Sequence, residues 1–120
     1  MKVNRVSFPA LRKILQGEIN EEALCIIKFY SNTCKYCHAL QEYYEELAES
    51  YEDVHFFAYN TDDAGMLDKH IKIDGVPSIV SVKNSSGLPP KINILGEPER
   101  PNKFTWYRMS DLRHFIKEQQ

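Results

Sequence analysis

A chain of 120 residues with a formal net charge of -2 has the size of one domain, long enough to bury well over half of the surface its unfolded form exposes. With 42% hydrophobic and 27% charged residues it is too apolar for wholesale disorder, and a pI near 6.1 offers a polyanion nothing to grip, which argues against nucleic-acid partners. Met1 to Val6 lacks the apolar run of a secretory core, and no later stretch approaches a membrane span, so the expected location is cytoplasmic, away from membranes.

In chain order, Lys2 to Val6 alternates polar and apolar residues and predicts a short edge strand. Ser7 then caps a predicted helix over Ala10 to Gln16, with Pro9 in its first turn, Leu11, Ile14 and Leu15 on one face, and Gly17 as its stop. Leu24 to Tyr30 is a near-continuous apolar run of β-branched and aromatic residues, the pattern of a central strand covered on both faces.

Ser31 to Thr33 forms a brief loop, and from Lys35 to about Tyr51 the residues Ala39, Leu40, Tyr43, Tyr44, Leu47, Ala48 and Tyr51 recur at helical spacing. Tyr43, Tyr44 and Tyr51 are therefore expected at the core or its edge. Val54 to Tyr59 predicts another buried strand, and Asp62-Asp63 caps a short helix carrying Met66, Leu67, His70 and Ile71. Gly75-Val76-Pro77 leads directly into a strand over Ser78 to Lys83, a turn follows at Asn84 to Gly87, and Lys91 to Leu95 adds one more strand. The segment Gly96 to Met109 is too long for a tight turn and too aromatic for a linker. Its expected role is to pack Phe104 and Trp106 onto the sheet as a hairpin extension, with a partner-binding arm as the alternative. Ser110 caps a last helix with Leu112, Phe115 and Ile116 inward. The sum is a single α/β domain over residues 1 to 120, a mixed sheet of about five strands flanked by about four helices.

Chemistry concentrates in Cys34-Lys35-Tyr36-Cys37-His38. Three cysteines are too few for a disulfide scaffold, so a CxxC pair reads as redox or metal chemistry. Thiol-disulfide exchange needs a thiolate, and a helix amino terminus stabilises one through its free N–H groups and dipole, helped by a cation such as Lys35. Cys34 is the expected nucleophile, and Cys37, one turn further in, the thiol that resolves the mixed disulfide. Zinc would need a second ligand pair; His38 is too close in sequence to complete a tetrahedron, and His55, His70 and His114 are scattered. The five residues also spell a haem-attachment motif, but such a motif calls for export and a small helical pocket, which this pattern does not provide. No metal or cofactor is expected.

The strand, loop, CxxC and helix from Ile26 onward, with Gly75-Val76-Pro77-Ser78 some forty residues later, resemble the thioredoxin superfamily over roughly Val3 to Ile116. The resemblance implies a cis peptide at Pro77, which packs opposite the cysteines, and a backbone at Val76 that presents an extended substrate segment. It implies a thiol-disulfide oxidoreductase acting as a protein disulfide reductase, monomeric, with protein disulfides as substrates and a reductase or glutathione as electron donor. Two alternatives are a glutathione-coupled, glutaredoxin-like enzyme and a non-catalytic, redox-switched binding subunit of the same fold.

The chain departs from that pattern in two places. Thr33 stands where a thioredoxin carries Trp, and Lys35-Tyr36 replaces Gly-Pro; Thr33, Lys35 and Tyr36, with Tyr30, are expected at the rim of the site, where Lys35 and Tyr36 would contact substrate. Beneath the site, the family's buried acid falls at Lys28 and the lysine that pairs with it at Ala58. A cation there favours the thiolate, so Lys28, with Thr33 and His38 beside the pair, is expected to tune the couple toward a more oxidising potential. Cys25, mid-strand, is expected to be a buried small hydrophobe.

Overall fold

The computed structural model describes residues 3–18, 22–63, 71–73, 75–85 and 87–120. Among them the elements run β1 (Val3–Arg5), α1 (Phe8–Leu15), β2 (Ala23–Tyr30), α2 (Lys35–Glu49), β3 (Val54–Asn60), β4 (Ser78–Asn84), β5 (Lys91–Ile94) and α3 (Met109–Gln119). The short helix expected after Asp62-Asp63 falls on residues 64–70, outside the described residues; three helices stand among those that are described, against about four expected.

The strands form one mixed sheet in the order β1-β3-β2-β4-β5. β1 and β2 both run parallel to β3, while β4 is antiparallel to β2 and β5 antiparallel to β4. β2 is central because Leu24 through Phe29 are all buried, leaving no face for water. Alternate side chains on a strand point to opposite faces, and the two cores divide accordingly. Leu24 and Ile26 pack with α2 and α3, whereas Cys25, Ile27 and Phe29 pack with Leu11, Ile14 and Leu15 of α1. Lys28 shares the parity of Leu24 and Ile26 and so lies under α2.

Helix α1 begins two residues before the expected start. Ser7 is its cap, the hydroxyl accepting from the Ala10 N–H at 3.5 Å, and Phe8 and Pro9 fill the first turn. Gly17 ends the turn at φ +74°, where a Cβ would also meet Pro90 Cδ at 2.9 Å, so both backbone and space require glycine. In α2 the buried stripe is Cys37, Leu40, Tyr44, Leu47 and Ala48. Tyr43 is a correction to the expected core: it sits about 100° around the helix from Tyr44 and is 47% exposed. Tyr51, just past the helix, is half-buried against Phe56. Tyr44 is fully buried, and its hydroxyl lies 3.1 Å from Ile26 O and 2.8 Å from Phe57 O, tying α2 to both β2 and β3.

Helix α3 is capped at Arg108 rather than Ser110. The Asp111 carboxylate accepts from the Arg108 N–H at 2.9 Å, which moves the start two residues earlier and leaves Ser110 inside the first turn. Leu112, Phe115 and Ile116 are buried as their spacing requires.

Between β5 and α3 the chain makes no extended hairpin. Asn102 and Trp106 exchange backbone hydrogen bonds at 2.9 Å in each direction, and the Asn102 side chain accepts from the N–H groups of Phe104 and Thr105. Trp106 packs against the α2/α3 core, but Phe104, expected beside it, is 66% exposed at the tip of this closed turn. The buried anchor is instead Tyr107, whose hydroxyl donates to Leu95 O at 3.3 Å. Burial, then Asp111 and Glu97, pushes the Tyr107 phenol up to about 12.

Candidate redox site

Cys34 and Cys37 form a disulfide with their Cα atoms 5.2 Å apart. Cys34 is the N-cap of α2, and the Cys37 N–H donates to Cys34 Sγ at 3.1 Å. That contact aims a free helix N–H at the sulfur where negative charge would appear on reduction. Cys37 is 2% exposed, whereas Cys34 is half-buried, so solvent and large partners reach Cys34 first. Cys25 is buried on the opposite face of the sheet, in the α1 core, and takes no part in the pair.

The loop that delivers the pair is held by polar groups that sequence reading did not single out. The Asn32 N–H donates to Asp62 Oδ2 at 2.8 Å, Asn60 Nδ2 donates to Asn32 Oδ1 at 2.8 Å, and the Asp62 N–H returns to Asn60 Oδ1 at 2.9 Å. Thr61 closes the same loop end through its N–H and hydroxyl, both donating to Tyr30 O. Asp62, expected as a helix cap, thus braces the cysteine loop. The signal available in sequence was the turn chemistry of Asn60 to Asp62; its partner 30 residues earlier was not legible. His38 is exposed and its Nε2 lies 2.9 Å from Asn32 O. A carbonyl can only accept, so Nε2 carries the proton and the ring is directed at the loop. Thr33, Lys35 and Tyr36 are exposed around the pair.

The Val76-Pro77 peptide is cis, as the resemblance implied, and the Ser78 hydroxyl donates to Gly75 O. Register places this segment beside the cysteine loop, because Ser78 pairs with Phe29, two residues before Ser31. A groove of about 270 Å³ runs along Val76 and Pro77 between Leu95, Glu97 and Trp106. Trp106, at φ +65°, has its ring centroid 5.7 Å from that of Tyr36. A residue of the segment after β5 therefore meets a residue between the two cysteines, and it carries the rim of the redox pair into the groove.

Below the pair lies a second cavity, about 380 Å³, whose wall includes Cys37, Lys28, Arg5, Tyr44 and Glu45. Lys28 is 4% exposed. Its register partner on β3 is Ala58, so the two positions singled out in sequence are lateral neighbours. The Lys28 ammonium stands 5.1 Å from the Tyr44 ring centroid and 5.5 Å from that of Tyr30, an electrostatic attraction to the ring faces. Burial lowers its pKa to about 8, with Glu45 opposing the shift and Arg5 adding to it. Among the described residues, no three His, Cys, Asp or Glu side chains converge as a metal site.

The model of the thioredoxin family matches residues 9–105. The chain belongs to the thioredoxin family. Comparison with curated protein sequences gave no match. Among solved structures, spinach chloroplast thioredoxin f in its long form is 24% identical, with a TM-score of 0.72 over 98% of this chain and 85% of that one. A chain from the complex of ferredoxin:thioredoxin reductase with thioredoxin f2 gives 20% identity and a TM-score of 0.72, covering 98% and 94%. Mitochondrial thioredoxin 3 of Saccharomyces cerevisiae, in its oxidised form, gives 18% and 0.66, covering 97% and 94%. At these identities the likeness is one of fold. Membership of the thioredoxin family, together with the bonded Cys34–Cys37 pair, makes this chain a thiol-disulfide oxidoreductase.

Proposed function

We propose that the chain is a protein disulfide reductase of the cytoplasm, acting as a monomer, in which Cys34 attacks and Cys37 resolves. The observation that carries this reading is the Cys37 N–H on Cys34 Sγ at 3.1 Å at the start of α2, on the less buried of the two cysteines. In the reduced enzyme the Cys34 thiolate attacks one sulfur of a substrate disulfide, forming a mixed disulfide and expelling the other substrate sulfur as a thiolate. Cys37 then loses its proton and attacks Cys34 Sγ, which releases the second substrate thiolate and leaves the Cys34–Cys37 disulfide. Two electrons pass to the substrate, and a reductase returns them.

The substrate segment lies extended in the groove against the Val76 and Pro77 backbone, with Thr33, Lys35 and Tyr36 at its edge selecting partners. The solved complex of a thioredoxin f2 with ferredoxin:thioredoxin reductase supports a reductase as donor, with glutathione as the alternative. Lys28, still mostly charged at neutral pH with a pKa of about 8, favours the thiolate form of the pair and so raises the potential above that of a thioredoxin with a buried acid. His38, held to the Asn32 carbonyl, stands beside the pair as a second tuning residue.

Insulin reduction coupled to a dithiol donor tests the assignment: turnover is expected from the wild type and none from Cys34→Ser. Turnover surviving in Cys34→Ser would leave a binding subunit as the better description. Equilibration with glutathione buffers measures the potential, and a value at or below that of an ordinary thioredoxin would remove Lys28 from its tuning role.

A further inference from the structure

We propose that the cavity beneath the redox pair is a binding site for a small oxyanion, a carboxylate or a phosphate, seated between Lys28 and Arg5. The site is built by strand register. Arg5 pairs with Ala58 across β1 and β3, and Ala58 pairs with Lys28 across β3 and β2. In-register neighbours share a face of the sheet, so two cations flank one alanine, their Cα atoms about 10 Å apart at two strand spacings. The alanine methyl leaves the space between them open, and the first turns of α2 roof it with Cys37, His38, Gln41 and Glu45.

Charge on these walls is only partly compensated, by the attraction of Glu45 for Lys28. Lys28 is 4% exposed, and among the described residues its ammonium has neither a hydrogen bond nor a carboxylate within 4.0 Å; the ion pair present among them is His114–Glu118, on the surface of α3. Arg5, an exposed residue at the mouth of the cavity, likewise has no carboxylate within that distance among the described residues. Both cations lean on one ring, Lys28 at 5.5 Å and Arg5 at 6.0 Å from the Tyr30 centroid, and they repel each other across the cavity. Glu45 is the one acid on the wall, against two fixed cations. The Lys28 stem is buried and its ammonium reaches into the cavity, where a charge held largely out of water without a protein acceptor is costly. One oxyanion between the two supplies acceptors to both, and the Arg5 guanidinium offers paired donors suited to a carboxylate or a phosphate. A volume of about 380 Å³ holds such a group with a short organic body or with water.

The inference does not depend on the direction of electron flow, and binding is measured on the disulfide form without turnover. The test is a titration of isotopically labelled protein with inorganic phosphate and, separately, with acetate, at ionic strength held constant with chloride, following backbone amide shifts. Saturable shifts in the millimolar range are expected at Arg5, Lys28, Cys37 and Ala58. Saturation with phosphate alone identifies a phosphoryl ligand, with acetate alone a carboxylate, and with both a site for the shared oxyanion. Lys28→Met should weaken binding at least tenfold. Ala58→Leu, which keeps both cations and fills the space, should do the same, and Arg5→Gln serves if either of those fails to fold. Shifts that rise linearly with anion, or that persist unchanged in Ala58→Leu and Arg5→Gln, overturn the site.

Discussion

Lys28 is a lysine placed where burial opposes its charge, and that has a measurable thermodynamic sign. Its folded pKa of about 8 lies below the ordinary 10.5, so between those values the unfolded chain binds more protons than the native one, and native stability rises with pH. The gain begins as pH rises through 8 and is complete near 10.5; below 8 the charged form is buried at a cost of about 3 kcal/mol. Replacing Lys28 by Met, which keeps the chain length and removes the charge, should therefore stabilise the disulfide form by up to about 3 kcal/mol at neutral pH. Urea denaturation at several pH values checks this, with the advantage of Lys28→Met shrinking between pH 8 and 10.5. An advantage constant across that range would mean that the ammonium is not the source. At Cys37 the expectation is chemical: Cys37→Ser should accumulate the Cys34 mixed disulfide with substrate, visible by mass spectrometry, because the resolving thiolate is gone.

Helix α2 joins the two sides of the site, and its first turn and its buried stripe have separate tasks. The first turn presents Cys34 as N-cap, while Tyr44, two turns on, braces β2 and β3 from below. Tyr44→Phe removes that brace and leaves two carbonyls without this donor, an expected loss of about 1–2 kcal/mol in chemical denaturation, with the ring contact to Phe56 retained. The segment after β5 acts on the other side. Trp106→Ala should lower kcat/KM for protein disulfides severalfold, since it strips one wall of the groove, while leaving turnover of a small aromatic disulfide within twofold. Equal losses on both substrates would show that Trp106 serves the pair itself rather than the groove.

These elements also show what a single sequence makes legible. β2 and α2 were readable because their patterns are local: six consecutive buried positions and a helical stripe ending on a CxxC. Tyr43 and Tyr44 carry the same side chain one step apart, and only the rotation of α2 about its own axis, which buries Cys37, Leu40, Leu47 and Ala48, decides which points inward. Ser110 is the better intrinsic cap, yet Asp111 reaching back to the Arg108 N–H wins by satisfying the earlier turn. Trp106 and Phe104 are two residues apart, and the Asn102–Trp106 pairing that separates core from surface is a property of the turn. Lys28 and Ala58 were legible through the family pattern, but Arg5 joins them only once β1 is known to lie on the far side of β3.

At the scale of the whole molecule, redox state and stability form one thermodynamic cycle, and Lys28 tests whether the cavity and the cysteines belong to it. Unfolded chains with and without Lys28→Met have the same CxxC pair and, to a good approximation, the same potential. Any change in the native potential must therefore reappear as a change in how much more stable the disulfide form is than the dithiol form. If the ammonium favours the thiolate by a factor of ten, Lys28→Met lowers the native potential by about 30 mV, equivalent to about 1.4 kcal/mol. The stabilisation gained by Lys28→Met should then be smaller by about 1.4 kcal/mol in the dithiol form than in the disulfide form. Urea unfolding of both proteins, with and without excess reductant at neutral pH, gives the two differences, and glutathione equilibration gives the potential independently. Agreement makes the buried cation part of the redox couple. A potential that falls while the two stability differences stay equal would break the cycle as drawn and place the effect in the unfolded chain, whereas equal stabilisation of both forms with no change in potential would leave Lys28 as a strained core residue and nothing more.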